Sequence, residues 1–258
     1  MRVLVTRPKR EAQSWVKSLR AAGLDAVQLP LIEIAAAANP IDIQLAWQKI
    51  GHYQAVMFVS GNAVEQFFAL KPLTSEFGTR AWATGPGTAR ALMQAGVSAS
   101  LIDTPQADAA QFDSETLWAQ VADQVKVVTR VLIVRGGDTG SEPEAAAGWG
   151  RNWLAQQIVA SRGLVDFVVA YRRLAPTWTA AQTSLARTAA TDGSVWLFSS
   201  SEGIANLDSG APGLDWSAAR ALVTHPRIAQ SARELGFGVV CQSRPTLADV
   251  IASIESLG

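Results

Sequence analysis

Residues 81–96 read AWATGPGTARALMQAG, and residues 221–236 read ALVTHPRIAQSARELG. Both begin with a short apolar run and turn at a threonine, with a proline two positions later. Both then continue as a periodic helix closed by glycine. A second pair precedes them, MFVSGNAVEQF at 57–67 and LFSSSEGIANL at 197–207. Ser60 stands 24 positions before Thr84, and Ser200 stands 24 positions before Thr224. A third pair is VLVTRP at 3–8 and VLIVRG at 131–136. Strand–turn–helix pieces matched at three places, two of them in the same order and spacing, read as two similar domains.

The rest of the chain alternates in the same way. Ala12, Trp15, Val16, Leu19 and Ala22 share one helical face, and Gly23 stops that helix. AVQLP and LIEIA are extended segments, QAVMFV is a strand buried on both faces, and LVDFVVAYRR is a long strand. GGDTGSEPEAAAGWG reads as a loop, and the piece at 139–149 as a mobile surface loop, with a lid as the alternative. Strands alternating with helices imply parallel sheets covered on both faces. The expected fold is therefore α/β, with two similar parallel-sheet lobes of three αβα layers joined by a two-stranded extended connector. The opening unit stands at the start of the chain and its companions appear only after residue 176, so one lobe is inserted into the other. The expected boundaries are 1–34 with 173–258 for the discontinuous lobe and 39–167 for the inserted lobe. Residues 35–38 and 168–172 are expected to connect them.

Composition narrows the function classes. The 258 residues are 48% hydrophobic and 17% charged, a globular balance. Lys plus Arg equals Asp plus Glu at 22 each, which argues against a nucleic-acid binder. Cys241 is the single cysteine, so an intramolecular disulfide and a thiolate metal cluster are excluded. His52 and His225 stand far apart, which disfavours a histidine metal site. No signal peptide opens the chain, and no apolar run approaches the ~20 residues of a membrane span. A cytoplasmic address is expected. The nine tryptophans are expected mainly in core and helix–sheet packing.

In open parallel sheets, ligands bind at the carboxyl ends of strands. The turns there are TRP at 6–8, SGN at 60–62, TGPGT at 84–88, RGG at 135–137, SSSEG at 199–203 and THPRI at 224–228. If the two lobes face each other, all six line one cleft. A helix start offers unpaired N–H groups with partial positive charge, glycine admits close approach, and Ser or Thr adds a donor. These turns suit an anion, although Ser, Thr, Asn and Pro also serve as ordinary helix starts. TGPGTAR lacks the lysine of a Walker loop, and Arg90 stands where the dinucleotide fingerprint needs its third glycine. Several cradles on two lobes suit a ligand with several separated negative groups, such as a polycarboxylate.

Taken in order, VLVTRP, FVSGNAV, ATGPGTARAL, VLIVRGG, RNWLAQQI, VVAYRR, LFSSSEGIANL and THPRIAQSARELGF resemble the uroporphyrinogen-III synthase family over nearly the whole chain. Each motif alone is weak, and their common order is what carries the resemblance. It implies two α/β lobes on a two-stranded connector, and hydroxymethylbilane, a linear tetrapyrrole with eight carboxylates, as substrate. The implied reaction is cyclisation with loss of water and inversion of the last ring, without metal or cofactor. The implied protein is a cytoplasmic monomer in transient contact with the preceding pathway enzyme, with no nucleic-acid or membrane partner.

The resemblance carries Ser60, Asn62, Thr84, Gly85, Gly87, Thr88, Ser199, Ser200 and Thr224 over as substrate contacts. Arg7 and Arg135 either meet substrate carboxylates bidentately or pair with acidic residues of the fold. Tyr171 is the preferred proton donor, with packing in the connector as its alternative role. His225 and Ile228 depart from the family, which more often has glycine and threonine there, so the turn at 224–228 is the weaker cradle. His225 either donates to a carboxylate or starts a helix. That altered turn permits a second reading, a non-catalytic two-lobe tetrapyrrole or polycarboxylate binding module. A nucleotide-sugar transferase is a third, and the missing diphosphate loop counts against it.

Overall fold

The computed structural model describes residues 1–106, 109, 111–138 and 149–257, and at 138 and 149–152 it describes the backbone alone. The expected surface loop at 139–149 therefore lies, but for Trp149, outside the described residues. In chain order the elements are β1 (Arg2–Val5), α1 (Lys9–Ala21), β2 (Asp25–Gln28), β3 (Glu33–Ala36), α2 (Pro40–Gln48), β4 (Ala55–Phe58) and α3 (Gly61–Ala69). Then come β5 (Arg80–Ala83), α4 (Pro86–Gln94), β6 (Ile102–Asp103), α5 (Ser114–Val121), β7 (Arg130–Asp138), α6 (Trp149–Ala160) and β8 (Leu164–Leu174). The chain ends with α7 (Ala180–Ala189), β9 (Val195–Phe198), α8 (Ser201–Gly210), β10 (Arg220–Val223), α9 (Pro226–Leu235), β11 (Val239–Gln242) and α10 (Leu247–Ser256).

Two compact units result, Met1–Glu33 with Leu174–Gly258, and Ile34–Arg173. The first holds a five-stranded sheet in the order β11-β10-β9-β1-β2, and the second a sheet in the order β3-β8-β7-β4-β5-β6. The pairings from β11 to β2 and from β8 to β6 are parallel. The chain crosses between units inside β3 and β8, which are hydrogen-bonded neighbours in the six-stranded sheet. Arg172 Nε donates to Ala36 O at 3.2 Å across that pair.

The repeat is topological as well as textual. β9, β10 and β11 stand in the first sheet as β4, β5 and β6 stand in the second. β1 lies between β9 and β2, as β7 lies between β4 and β8. The two units thus share one strand arrangement with a different starting point along the chain. In the first, the strand that opens the chain occupies the place that β7 reaches last but one in the second.

Alternation along the central strands splits each core into two layers. In the first unit Leu4, Trp196 and Phe198 face one cluster, while Val3, Val5, Val195 and Leu197 face the other. In the second unit Val56 and Phe58 face one cluster, while Ala55 and Met57 face the other. Both faces of each sheet are therefore covered, and β4 and β9 are buried along their whole length. Trp47 stacks on Phe67 at 4.7 Å, and its indole donates to Phe67 O at 2.9 Å. Trp216 stacks on Phe237 at 5.3 Å in the other unit. Trp47, Trp82, Trp196 and Trp216 are fully buried, so the expected packing role holds for these four.

One reading of the sequence needs correction, and some elements escape the pattern. RGG at 135–137 is not a turn, because β7 continues through Gly136 and Gly137 to Asp138, paired with β8 as far as Arg173. The residues Ile102–Asp103 and Val239–Gln242 are strands that the apolar pattern does not announce, being partly buried or, at Val239 and Gln242, exposed. α2 stops at Gln48, and a separate short turn of 3-10 helix follows at Ile50–His52.

Candidate functional site

In each unit, the candidate residues gather at the carboxyl ends of adjacent parallel strands. In the second unit β4 delivers Ser60 to the start of α3, and β5 delivers Thr84 and Gly85 to the start of α4. Ser60 caps α3 by accepting from Ala63 N–H at 3.2 Å. Its hydroxyl oxygen also lies 3.1 Å from the hydroxyl oxygen of Tyr171. Tyr171 itself is buried, only 3% exposed. Asn62 follows in the first turn of α3, partly buried.

Tyr171 reaches Ser60 through an irregularity in β8. Arg135 pairs with Val169, but Gly136 pairs with Tyr171, so Ala170 is an extra residue on β8. In a regular strand Ala170 and Tyr171 would face opposite sides. The bulge re-aims Tyr171, and Val168, Ala170 and Tyr171 all join the same core cluster. Gly136 lies under the phenol ring, and a Cβ there would stand 2.6 Å from Tyr171 Cζ.

Thr84 Oγ1 donates to Val59 O at 3.3 Å, so that donor is used inside the fold. Gly85 is the N-cap of α4 and supplies no side-chain cap, leaving the first N–H groups of α4 without one. A Cβ at Gly85 would stand 2.9 Å from Phe112 Cβ, a neighbour the sequence reading missed. Gly87 faces open space, whereas Thr88 is buried, as is its counterpart Ile228. Burial of both favours packing at this position.

In the first unit the register brings the ends of β1, β9 and β10 side by side. Ser199 and Ser200 are partly buried and Thr224 is buried. Ser200 is the N-cap of α8 but makes no capping hydrogen bond. His225 caps α9 instead, its Nδ1 accepting from Arg227 N–H at 3.2 Å. This is the helix-start role among the two considered for His225. Thr6, in the turn TRP at the end of β1, donates its hydroxyl to Leu197 O at 2.7 Å.

The repeated arginines keep a common environment. Arg7 lies over the Trp15 ring and Arg135 over the Phe167 ring, each guanidinium carbon 4.6 Å from the centroid. Arg7 is paired with Glu11 at 3.2 Å, the intramolecular alternative of the two. Burial lowers its pKa from the ordinary arginine value, and Glu11 opposes that shift. Arg135 is buried, 3% exposed. Among the described residues no group of three or more His, Cys, Asp or Glu could hold a metal, and no helix is long and apolar enough to cross a membrane.

Residues 13–252 match the family described as uroporphyrinogen-III synthase HemD. The porphyrin biosynthesis protein HemD of Ruminiclostridium josui is 29% identical over 137 residues, 51% of this chain and 26% of that protein. The uroporphyrinogen-III synthase of Chlorobaculum parvum is 32% identical over 157 residues, 57% of this chain and 58% of that protein. The matched stretches thus span about a quarter and somewhat over half the lengths of these relatives. Among solved structures, the uroporphyrinogen-III synthetase of Helicobacter pylori 26695 aligns with a TM-score of 0.57 at 16% identity, covering 100% of both chains. A mutant uroporphyrinogen III synthase of Thermus thermophilus aligns with a TM-score of 0.56 at 16% identity, covering 100% of this chain and 98% of that one. These two likenesses bear on the fold, and the family match carries the assignment: the chain belongs to the uroporphyrinogen-III synthase family.

Proposed function

We propose that this protein is a uroporphyrinogen-III synthase, a cyclising hydro-lyase that converts hydroxymethylbilane to uroporphyrinogen III. The observation that carries the reading is the family match over residues 13–252, in which the two strand-end clusters fall. The hydroxyl of the substrate takes a proton and leaves as water. The resulting azafulvene cation is delocalised over the pyrrole. The substituted carbon of the last ring attacks it and gives a spiro intermediate. The bond from that carbon to its original bridging carbon then breaks and leaves a second azafulvene cation on the neighbouring ring. The other α-carbon of the last ring attacks that cation, which inverts the ring and closes the macrocycle, and a proton is lost from the attacking carbon. Free bilane closes unaided to the uninverted isomer, so the protein's main contribution is orientation.

Tyr171 is the proposed acid. Its phenol hydroxyl is a hydrogen-bond donor with a proton to give. The α4 start at Gly85 and the α8 start at Ser200 carry no side-chain cap, which supports their use as seats for substrate carboxylates. Ser60, Asn62, Thr84, Gly87, Thr88, Ser199 and Thr224 are the remaining proposed contacts, with Arg7 and Arg135 supplying positive charge beside them. No metal or cofactor is needed for these steps. The protein is proposed to act in the cytoplasm as a monomer, receiving its labile substrate by transient contact with the preceding enzyme. The two lobes are proposed to divide at 1–34 with 173–258 and at 39–167, with 35–38 and 168–172 connecting them.

Product analysis tests the reading. Purified protein is given fresh hydroxymethylbilane, and the oxidised products are separated by isomer. Predominantly isomer III is expected. Only isomer I, as in the blank, would mean that the fold serves binding without catalysis.

A further inference from the structure

The proposed acid is buried, yet a proton donor must reach the oxygen it protonates. Tyr171 is 3% exposed, and its hydroxyl lies 3.1 Å from that of Ser60, which is only partly buried. A serine hydroxyl has two acceptor lone pairs and one proton. One lone pair of Ser60 accepts from Ala63 N–H at 3.2 Å. With the phenol donating to the other, the serine proton is left for a third partner. We propose that Ser60 and Tyr171 form a two-hydroxyl relay, in which Ser60 touches the leaving oxygen and Tyr171 supplies the proton from behind it.

The step balances. Ser60 Oγ–H protonates the leaving hydroxyl, the carbon–oxygen bond breaks and water departs. Tyr171 O–H passes its proton to Ser60 Oγ and becomes phenolate beside the new azafulvene cation. The proton released when the last pyrrole regains aromaticity restores the phenol. This rests on the synthase reading above.

The fold has two devices for holding the inner member. The extra residue Ala170 in β8 turns Tyr171 toward the α3 side of the sheet. Gly136 then leaves room for the ring, because a Cβ there would stand 2.6 Å from Cζ and 3.0 Å from the hydroxyl oxygen. Gly136 is thus a positioning residue. Among the described residues the first unit has no such relay. β2, in the place of β8, ends at Gln28, and Ser200, in the place of Ser60, makes no capping bond.

The test is the rate of isomer III formation by the full chain, with kcat and KM separated, in Ser60→Ala, Ser60→Gly, Ser60→Thr, Tyr171→Phe and the double variant Ser60→Gly/Tyr171→Phe. Glycine is nearly as good an N-cap as serine and alanine is poor, so stability should rank Ser, Thr and Gly above Ala. Activity should rank differently: Thr within about threefold of wild type, Gly and Ala both about 10²-fold lower in kcat with KM little changed. Tyr171→Phe should lose about as much, and the double variant should lose no more than the worse single one. Gly136→Ala should lower kcat in the wild-type background and not further in Tyr171→Phe. A wild-type kcat in Ser60→Gly would overturn the relay, as would losses that multiply in the double variant. If wild type itself yields only isomer I, the synthase reading falls instead, and the two failures are told apart.

Discussion

Thr84 Oγ1 donates to Val59 O at 3.3 Å, and Val59 N–H donates to Val134 O at 3.2 Å. The ends of β5 and β4 are thus laced to the middle of β7 at the point where the proposed substrate contacts emerge. Thr84→Val keeps the shape and removes the donor. A net loss of about 1 kcal/mol is expected for one such bond. For a chain of this size that is a fall in Tm of about 2–4 °C. Turnover should fall severalfold if Thr84 also meets the substrate, because its hydroxyl oxygen can still accept from a pyrrole N–H. Melting curves and isomer III rates on the same preparation check this. A lower Tm with an unchanged rate would assign Thr84 to the fold alone.

His225 tests the opposite expectation. Its Nδ1 caps α9, whereas Gly85 at the matching place leaves α4 uncapped. His225→Ala should cost about 1 kcal/mol of stability, and His225→Asn should restore most of it. Isomer III formation should stay within about twofold in both. Denaturant midpoints give the first quantity and the enzyme assay the second. A large loss of turnover in the stable asparagine variant would instead make His225 a substrate contact.

At the other end of the sheet, Asp166 accepts from Arg130 Nε at 2.7 Å and from the Tyr53 hydroxyl at 2.9 Å. The Arg130 bond, with Tyr53 adding to it, holds the Asp166 carboxyl below its ordinary value despite partial burial. A depressed folded pKa contributes stability above the unfolded value, near ~3.9, that is lost as pH falls through the folded one. Tyr53 is shifted the other way, up to about 12, by burial and then by Asp166. Its contribution is complete below the unfolded value, near ~10, and is lost as pH rises through the folded one. Urea midpoints of wild type and Asp166→Asn should therefore differ at neutral pH and converge as pH falls below the unfolded carboxylate value near ~3.9. Tyr53→Phe should differ from wild type at neutral pH and less so above about pH 10. A difference between wild type and Asp166→Asn that is constant from neutral to acid would show that the carboxylate's charge contributes nothing.

Much of the fold is legible in the chain because its strands are short, buried runs ending in Ser, Thr or Gly. VMF at 56–58 and WLF at 196–198 are apolar on both faces, and the helix behind each begins at once. What escapes is whatever depends on a partner strand. Gly136 and Gly137 look like a turn, and only pairing with Tyr171 and Arg172 keeps them in β7. The meeting of Ser60 with Tyr171, 111 positions apart, depends on one extra residue in β8 that no local pattern signals. Phe112 over Gly85 is equally silent, since a lone aromatic in a connecting segment has no period to betray its target. Arg7 shows the limit of residue type as a guide: the same guanidinium suits a substrate carboxylate and Glu11, and here Glu11 stands one helical turn away.

The Gly85–Phe112 contact offers the sharpest test of the α4 helix start as a carboxylate seat. Gly85 is extended, so alanine costs nothing in backbone conformation there. The cost is steric: the new Cβ would stand 2.9 Å from Phe112 Cβ, and one of the two must move. If the first N–H groups of α4 hold a substrate carboxylate, displacing them weakens a charge-assisted bond of about 1.5–3 kcal/mol. KM for hydroxymethylbilane should then rise by about tenfold or more, with kcat changed less. Phe112→Gly added to Gly85→Ala removes the Cβ that the new methyl meets and should bring KM back toward wild type, because the distortion, not the added methyl, is the cause. An unchanged KM in a folded Gly85→Ala protein removes α4 from the binding surface. A raised KM that Phe112→Gly does not relieve means that the methyl itself occupies the space where the carboxylate sits.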